Sequence, residues 1–266
     1  MLSFIISAIA ACALGYVVHL DHGPSWGAVS GVIVFVLVQL GISLILRKFV
    51  SRQQLVVQNI LVKAQNDINR QIALFQRRNP GSERAARQIL EKIQNGAAAD
   101  ALAAMEDFKK FYIWNFMLKR QINSMKMQLL FQLKDYKAVD EILPHCLLLD
   151  QQGVAIKLVR MYKNNDTDLD RFYRKKCVRF KGDALAFLAS VYAWMLLKRG
   201  KEEAARNILL AAKRKTDNPV LVENEERLAN KKAKQYSNAG FGDLWYALGL
   251  EEYKVKPQRQ RMGRPF

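Results

Sequence analysis

Lysine and arginine are missing from the first 46 residues, although the 266-residue chain carries 42 of them. That stretch also holds a single acid, Asp21. All the cations therefore stand in residues 47–266, against 23 acids, a net +19; the chain-wide mean hydropathy of −0.11 averages two unlike parts. Such asymmetry points to a polyanionic neighbour, a lipid surface or a nucleic acid. Cysteine is scarce too: Cys12, Cys146 and Cys177 are an odd, scattered set without CxxC spacing, which argues against a disulfide framework and a zinc site. Three histidines narrow general acid–base chemistry, and no P-loop, GxGxxG, GxSxG or HExxH pattern occurs. Runs of alternating β-branched residues are also lacking. The expectation is an all-α protein that is not an enzyme, with no catalytic residue, metal or cofactor.

Two long apolar runs fill the charge-poor segment. Leu2–Leu20 and Gly27–Leu46 are each close to the roughly 20 residues a helix needs to cross hydrocarbon. Asp21-His22-Gly23-Pro24-Ser25 reads as the turn between them, and Trp26 suits the headgroup boundary. Arg47, Lys48 and Arg52 follow the second run and mark a cytoplasmic end, so both termini are expected in the cytoplasm of a bacterial inner membrane. The rival is a cleaved signal peptide, since Ile9-Ala10-Ala11-Cys12 has a lipoprotein-like look. Against it stand an uncharged n-region and further apolar residues, Ala13 to Val18, beyond the cysteine. Ala8, Ala10, Ala11, Gly15, Gly27, Gly31 and Gly41 would let two helices pack closely. With Gln39 and a few serines as the only polar groups in the spans, an anchor is expected rather than a pore.

Residues 47–78 form a juxtamembrane segment without proline or glycine. Val50, Val57, Leu61, Ala64, Ile68 and Phe75 lie on one seam, interrupted by Gln54 and Gln71, which predicts a long helix with an intramolecular or self-associating partner. Asn79-Pro80-Gly81 ends it. Residues 79–236 then read as one helical domain with breaks at Asn95-Gly96, Lys134-Asp135-Tyr136, Gln151-Gln152-Gly153, Asn164–Asp166, Gly182, Gly200 and Asp217-Asn218-Pro219. A helical run is expected from about residue 109 to Leu133, another over Ala138–Leu149, and a capping box at Thr167-Asp168-Leu169-Asp170. Residues 237–266 read as an apolar docking helix, Phe241–Leu250 with Leu244, Trp245 and Leu248, followed by a basic tail.

Within residues 186–219, Tyr192, Ala193, Leu196, Gly200, Ala205, Leu209, Ala212 and Pro219 follow the order of small, aliphatic and turn positions of a helical hairpin. A second stretch, Leu133-Lys134-Asp135-Tyr136-Lys137-Ala138 to Leu143, Cys146 and Asp150, has Lys134 at the turn position that Gly200 fills. Both resemble the tetratricopeptide repeat. The resemblance covers about 70 residues and implies a TPR-like α-hairpin array behind the membrane hairpin, whose concave face holds a protein partner.

Several candidate sites remain. His19, Asp21 and His22 are close in sequence, but a wet turn explains them better than a metal. His145 lacks a catalytic partner apart from adjacent Cys146. Asn164, Asp166, Asp168 and Asp170 alternate as calcium ligands do, yet Leu169 and Lys175 occupy the places that demand Gly and Glu. The segment 171–181 interleaves Arg171, Arg174, Lys175, Lys176, Arg179 and Lys181 with aromatics. Either Phe172, Tyr173, Val178 and Phe180 pack while the cations solvate the outside, or the cations bind phosphate on lipid or RNA. In the tail, Lys254, Lys256, Arg259, Arg261 and Arg264 have no acid among them. The expected function is a membrane-anchored scaffold for a protein partner, with anionic lipid near the basic tail; the alternative is a membrane-tethered RNA- or ribosome-binding protein.

Overall fold

In the computed structural model, which describes residues 2–77, 83–114 and 116–252, helix is the regular structure throughout and no strand occurs among the described residues. The chain divides into two compact units, Met1–Leu147 and Leu148–Phe266, a boundary inside the segment 79–236 that sequence alone reads as one domain.

The first unit is built on two helices, α1 (Leu2–His22) and α2 (Pro24–Arg77), both long and apolar enough to cross a membrane. The expected five-residue turn shrinks to one residue. Asp21 and His22 stay helical, Gly23 takes φ +88°, and Pro24 opens α2, where its missing N–H costs nothing. Three glycines bring the helices to backbone contact. A Cβ on Gly27 would stand 2.7 Å from the Cβ of His19 and 2.8 Å from the Gly15 carbonyl oxygen; on Gly15 it would stand 2.9 Å from the Gly27 oxygen, and on Gly31 3.2 Å from the Ala11 oxygen. Gly41 has nothing within 4 Å, so it does not share this packing. Further along, the Ser7 hydroxyl donates to the Ser3 carbonyl at 2.8 Å and lies 2.9 Å from the Gln39 amide oxygen.

α2 continues without a break past Arg47 for 30 more residues, and its seam finds an intramolecular partner in α3 (Glu83–Met105). Val57 is buried, and Val50 and Ile60 pack beside it, against Ala98, Ala101, Met105, Phe108 and residues of α4 (Phe116–Gln132). Ile68 is buried further along, whereas Leu61 is exposed and Ile60 takes its place in the seam. The break expected at Asn95-Gly96 is absent. A mid-helix glycine costs about 1 kcal/mol, and the alanines that follow are held by burial against Val57. The helical run expected towards Leu133 is interrupted instead by a 3-10 turn, Glu106–Phe111. This turn leads to the carbonyls of Ile113 and Trp114, which accept from the Leu2 N–H (3.1 Å) and the Ser3 hydroxyl (3.1 Å). The start of α1, left with orphan donors, is thereby capped from more than 100 residues away.

α5 (Tyr136–Ile142) completes the unit, N-capped by Asp135, whose side chain accepts from the Ala138 N–H. The helix expected to reach Leu149 stops here, because Pro144 favours a 3-10 turn over Leu143–His145.

The second unit holds α6 (Gln151–Lys163), α7 (Leu169–Lys176), α8 (Gly182–Lys198), α9 (Glu202–Lys213), α10 (Pro219–Ala229) and the four-residue α11 (Asp243–Tyr246). Gln151–Gly153 begin α6 rather than precede it, since Asp150 caps the Gly153 N–H at 2.9 Å. α8 is the central helix, buried nearly all round from Leu185 to Leu196. The expected docking helix is shorter than its apolar run. Trp245 and Leu248 are buried but Leu244 is exposed, and the indole N–H groups of Trp194 and Trp245 both donate to Glu251, at 2.8 and 3.1 Å. Buried Asn224 and Asn238 tie the preceding segment to α10 and to the Ser190 carbonyl of α8.

One backbone motif recurs through both units. α4, α6, α8 and α10 each end with a residue in the left-handed region: Lys134 (φ 63°), Asn165 (φ 52°), Gly200 (φ 73°) and Lys231 (φ 57°). Each end carries the paired Schellman hydrogen bonds: Asp135 N–H to Leu130, Asp166 to Met161, Lys201 to Leu196 and Lys232 to Arg227 close the wider rings. The intervals are 31, 35 and 31 residues (134 to 165, 165 to 200, 200 to 231).

Three substitutions check the helix contact and the left-handed turn. Gly27→Leu should drive α1 and α2 apart and lower the thermal stability of the detergent-solubilised protein, whereas Gly41→Leu should leave it unchanged. Lys231→Gly should stabilise the protein by about 1 kcal/mol in chemical denaturation, since glycine relieves the left-handed strain.

Candidate functional site

The basic segment 171–181 folds as α7, a 3-10 turn over Cys177–Arg179, and an extended link to the N-terminus of α8. Leu169, Tyr173 and Cys177, spaced by four, form its buried stripe, and this spacing directs the cations outward. Arg171, Arg174, Lys175 and Lys176 belong to α7, Arg179 lies in the 3-10 turn, and Lys181 precedes α8; all six are exposed. Of the apolar and aromatic residues expected to pack, Tyr173 is buried, Phe172 and Phe180 are half-buried, and Val178 lies at the surface. The Lys157 ammonium sits 5.0 Å from the centre of the Phe172 ring.

Thr167 and Asp170 do not frame α7 as the expected capping box, because the N-cap position falls on Asp168. Asp168 opens α7 without a side-chain cap, and its own N–H donates to Asp166 at 2.8 Å. Asp170 is drawn inward to accept from the Tyr192 hydroxyl of α8. The Tyr192 ring stacks on Tyr173 with centroids 4.1 Å apart and planes at 15°. Arg171 lies 3.9 Å from Asp168, and among the described residues no ion pair engages Arg174, Lys175, Lys176, Arg179 or Lys181. Thr167, Asp170, Arg171, Arg174 and Lys175 line an open depression of about 520 Å³. The arrangement gathers exposed positive charge around this depression, with Asp170 already engaged by a hydroxyl. Lys157 and Tyr192, which complete it, come from other helices and are outside the sequence-defined patch.

Burial pushes the Cys177 thiol up to about 12, so it is not a nucleophile at neutral pH. Burial likewise raises the phenols of Tyr173 and Tyr192, the latter also through its bond to Asp170. His145 is exposed in its 3-10 turn, and its carbonyl accepts from the Asn123 amide at 3.3 Å. His19, Asp21 and His22 are exposed, and among the described residues no three His, Cys, Asp or Glu side chains gather as a metal site. The tail cations Lys254, Lys256, Arg259, Arg261 and Arg264 lie outside the described residues.

Comparison with family models, with curated proteins and with solved structures gives no match.

The tyrosine pair sets a pH response. An ordinary phenol titrates near 10, and the folded values lie higher, so above pH 10 the folded state binds more protons than the unfolded one. Their stabilising contribution is complete below about pH 10 and is lost as pH rises through the folded values. Denaturation midpoints at pH 8, 10 and 11 should fall over the last step, and the fall should be smaller in Tyr192→Phe.

Proposed function

We propose that the protein is a non-enzymatic scaffold, anchored in a membrane by the α1–α2 hairpin, whose TPR-like helical hairpins bind a protein partner. The observation that carries the reading is the recurring helix, Schellman turn and return segment at intervals of 31 to 35 residues. Repeats of one supersecondary unit present extended surfaces suited to peptides and proteins. The turn position singled out in the repeat resemblance, Gly200, has the same left-handed conformation as Lys134, the second position singled out.

The anchor rests on two helices of spanning length and apolarity whose outward side chains are apolar, among them Leu37, Leu40, Leu44 and Ile45. With Arg47, Lys48 and Arg52 at the end of the apolar stretch, the charge rule favours a cytoplasmic side for both termini, and the membrane of this reading is a bacterial inner membrane. The six exposed cations of 171–181 favour a second reading, a membrane-tethered RNA- or ribosome-binding protein that holds phosphate there and on its tail. They equally suit orientation of a scaffold on anionic lipid.

Affinity capture on the full chain in mild detergent, with and without nuclease and across a salt series, separates the two readings. The scaffold reading expects a defined protein partner that survives nuclease and depends weakly on salt. Loss of every partner on nuclease treatment, with a steep salt dependence, would establish the nucleic-acid reading instead.

A further inference from the structure

The first unit contains a second basic site, distinct from 171–181, where the apolar part of α2 gives way to charge. Ile42, Ile45, Leu46, Phe49 and Arg52 follow the 3/4 spacing of one helical face and line a groove of about 660 Å³. Its other wall is the turn that caps α1, through Lys110, Phe111 and Trp114. The turn is well held: Trp114 donates its N–H to the Phe111 carbonyl, its own carbonyl accepts from Ser3, and Gln53 donates to the Ala104 carbonyl (3.2 Å) and to Asp107 (3.0 Å).

The groove changes character along its length. From Ile42 to Phe49 it offers hydrocarbon, with Ile45 59% and Phe49 49% exposed; Arg52, about 15 Å along the helix axis from Ile42, adds a cation to this wall, and Lys110, whose ammonium lies 5.4 Å from the centre of the Phe111 ring, adds one to the other. The nearby acids are engaged, Asp107 by Gln53 and Glu106 by Lys109 and Lys126. Lys109 and Lys126 also hold the Glu106 carboxyl below its ordinary pKa. Arg47 and Lys48 add positive charge on the adjoining turn of α2.

A groove that combines an apolar wall, two cations and aromatic rings offers the kinds of surface a phospholipid needs. We infer that this groove binds one anionic phospholipid, with an acyl chain along Ile42, Ile45 and Phe49 and its phosphate between Arg52 and Lys110. The inference rests on the membrane-anchor reading and extends it from bulk insertion to a defined lipid site. Trp114 and Phe111 occupy the boundary level at which aromatic rings settle. A neutral zwitterionic lipid fits the slot equally well and lacks the net charge that the two cations favour. The groove is open, so the second chain stays in the surrounding bilayer.

Native mass spectrometry of the full-length protein, exposed in detergent to equal amounts of phosphatidylglycerol and phosphatidylcholine, tests this site. Wild type should retain phosphatidylglycerol preferentially. The double variant Arg52→Gln, Lys110→Gln should lose roughly 10-fold or more of that retention, with phosphatidylcholine unaffected. Arg174→Gln, Lys175→Gln, a control at the other basic patch, should retain it as wild type does. Equal retention of the two lipids by wild type, or undiminished phosphatidylglycerol on the double variant, overturns the site. Extraction of native membranes with alkaline carbonate separates this failure from the other: release of the wild-type protein overturns the anchor reading and the site with it, whereas retention leaves the anchor standing.

Discussion

Because each residue of an unbroken α-helix turns by about 100°, the directions of any two side chains on α2 are fixed relative to one another. Gly27 and Gly31 meet α1, Ile42 to Phe49 face the groove, and Val57 faces α3, all on one helix of 54 residues. A single kink would uncouple these faces. The helix runs unbroken to Arg77, and no proline interrupts it after Pro24. The turn at 106–114 uses this fixed geometry from both sides, lying along α2 while its carbonyls cap α1. The N-terminal hairpin and the rest of this unit are therefore joined by one continuous helical backbone.

From α4 onward, in both units, the chain depends on a different constraint, the way helices stop. A chain that leaves a helix through a left-handed residue satisfies its last carbonyls and reverses direction within a few residues. Glycine does this without strain, and at Gly200 the sequence says so. At Lys134, Asn165 and Lys231 the same conformation is imposed on side chains that disfavour it, asparagine least. Sequence spacing therefore exposes one hairpin well and a second weakly, while the backbone repeats the turn four times. A repeat carried by conformation rather than residue identity leaves little for sequence comparison to detect.

Other parts were legible for specific reasons. The two apolar runs were clear because a long uncharged stretch has few alternatives to helix, and the seam from Val50 to Ile68 was clear in part, since burial follows its spacing at Val57 and Ile68 while Ile60 replaces Leu61. Gly96 misled because its own environment is open, while the alanines beyond it do the packing. The interruption before α4 was invisible because its cause, the N-terminus of α1, lies far away in sequence. In the basic segment the cations were evident, and the stripe Leu169, Tyr173, Cys177 was available from spacing alone. The pairing of Asp170 with Tyr192 was not, since it requires α8 to be in place. The resemblance to a capping box at Thr167 to Asp170 was a local signal overridden by that tertiary bond.

The length of α2 also sorts the protein's charges by distance. From Arg47 to Arg77 the helix rises about 45 Å at 1.5 Å per residue, whereas electrostatic potential in physiological salt decays over about 8 Å. If the anchor stands as proposed, Arg47, Lys48, Arg52 and Lys110 lie within the ionic atmosphere of the lipid surface. Arg70 and Arg77, some 35 to 45 Å along the rod, are screened from it by several decay lengths. On that reading the rod is a spacer across the salt-screened distance: cations at one end lie beside lipid, and those at the other are left to a different polyanion or to none.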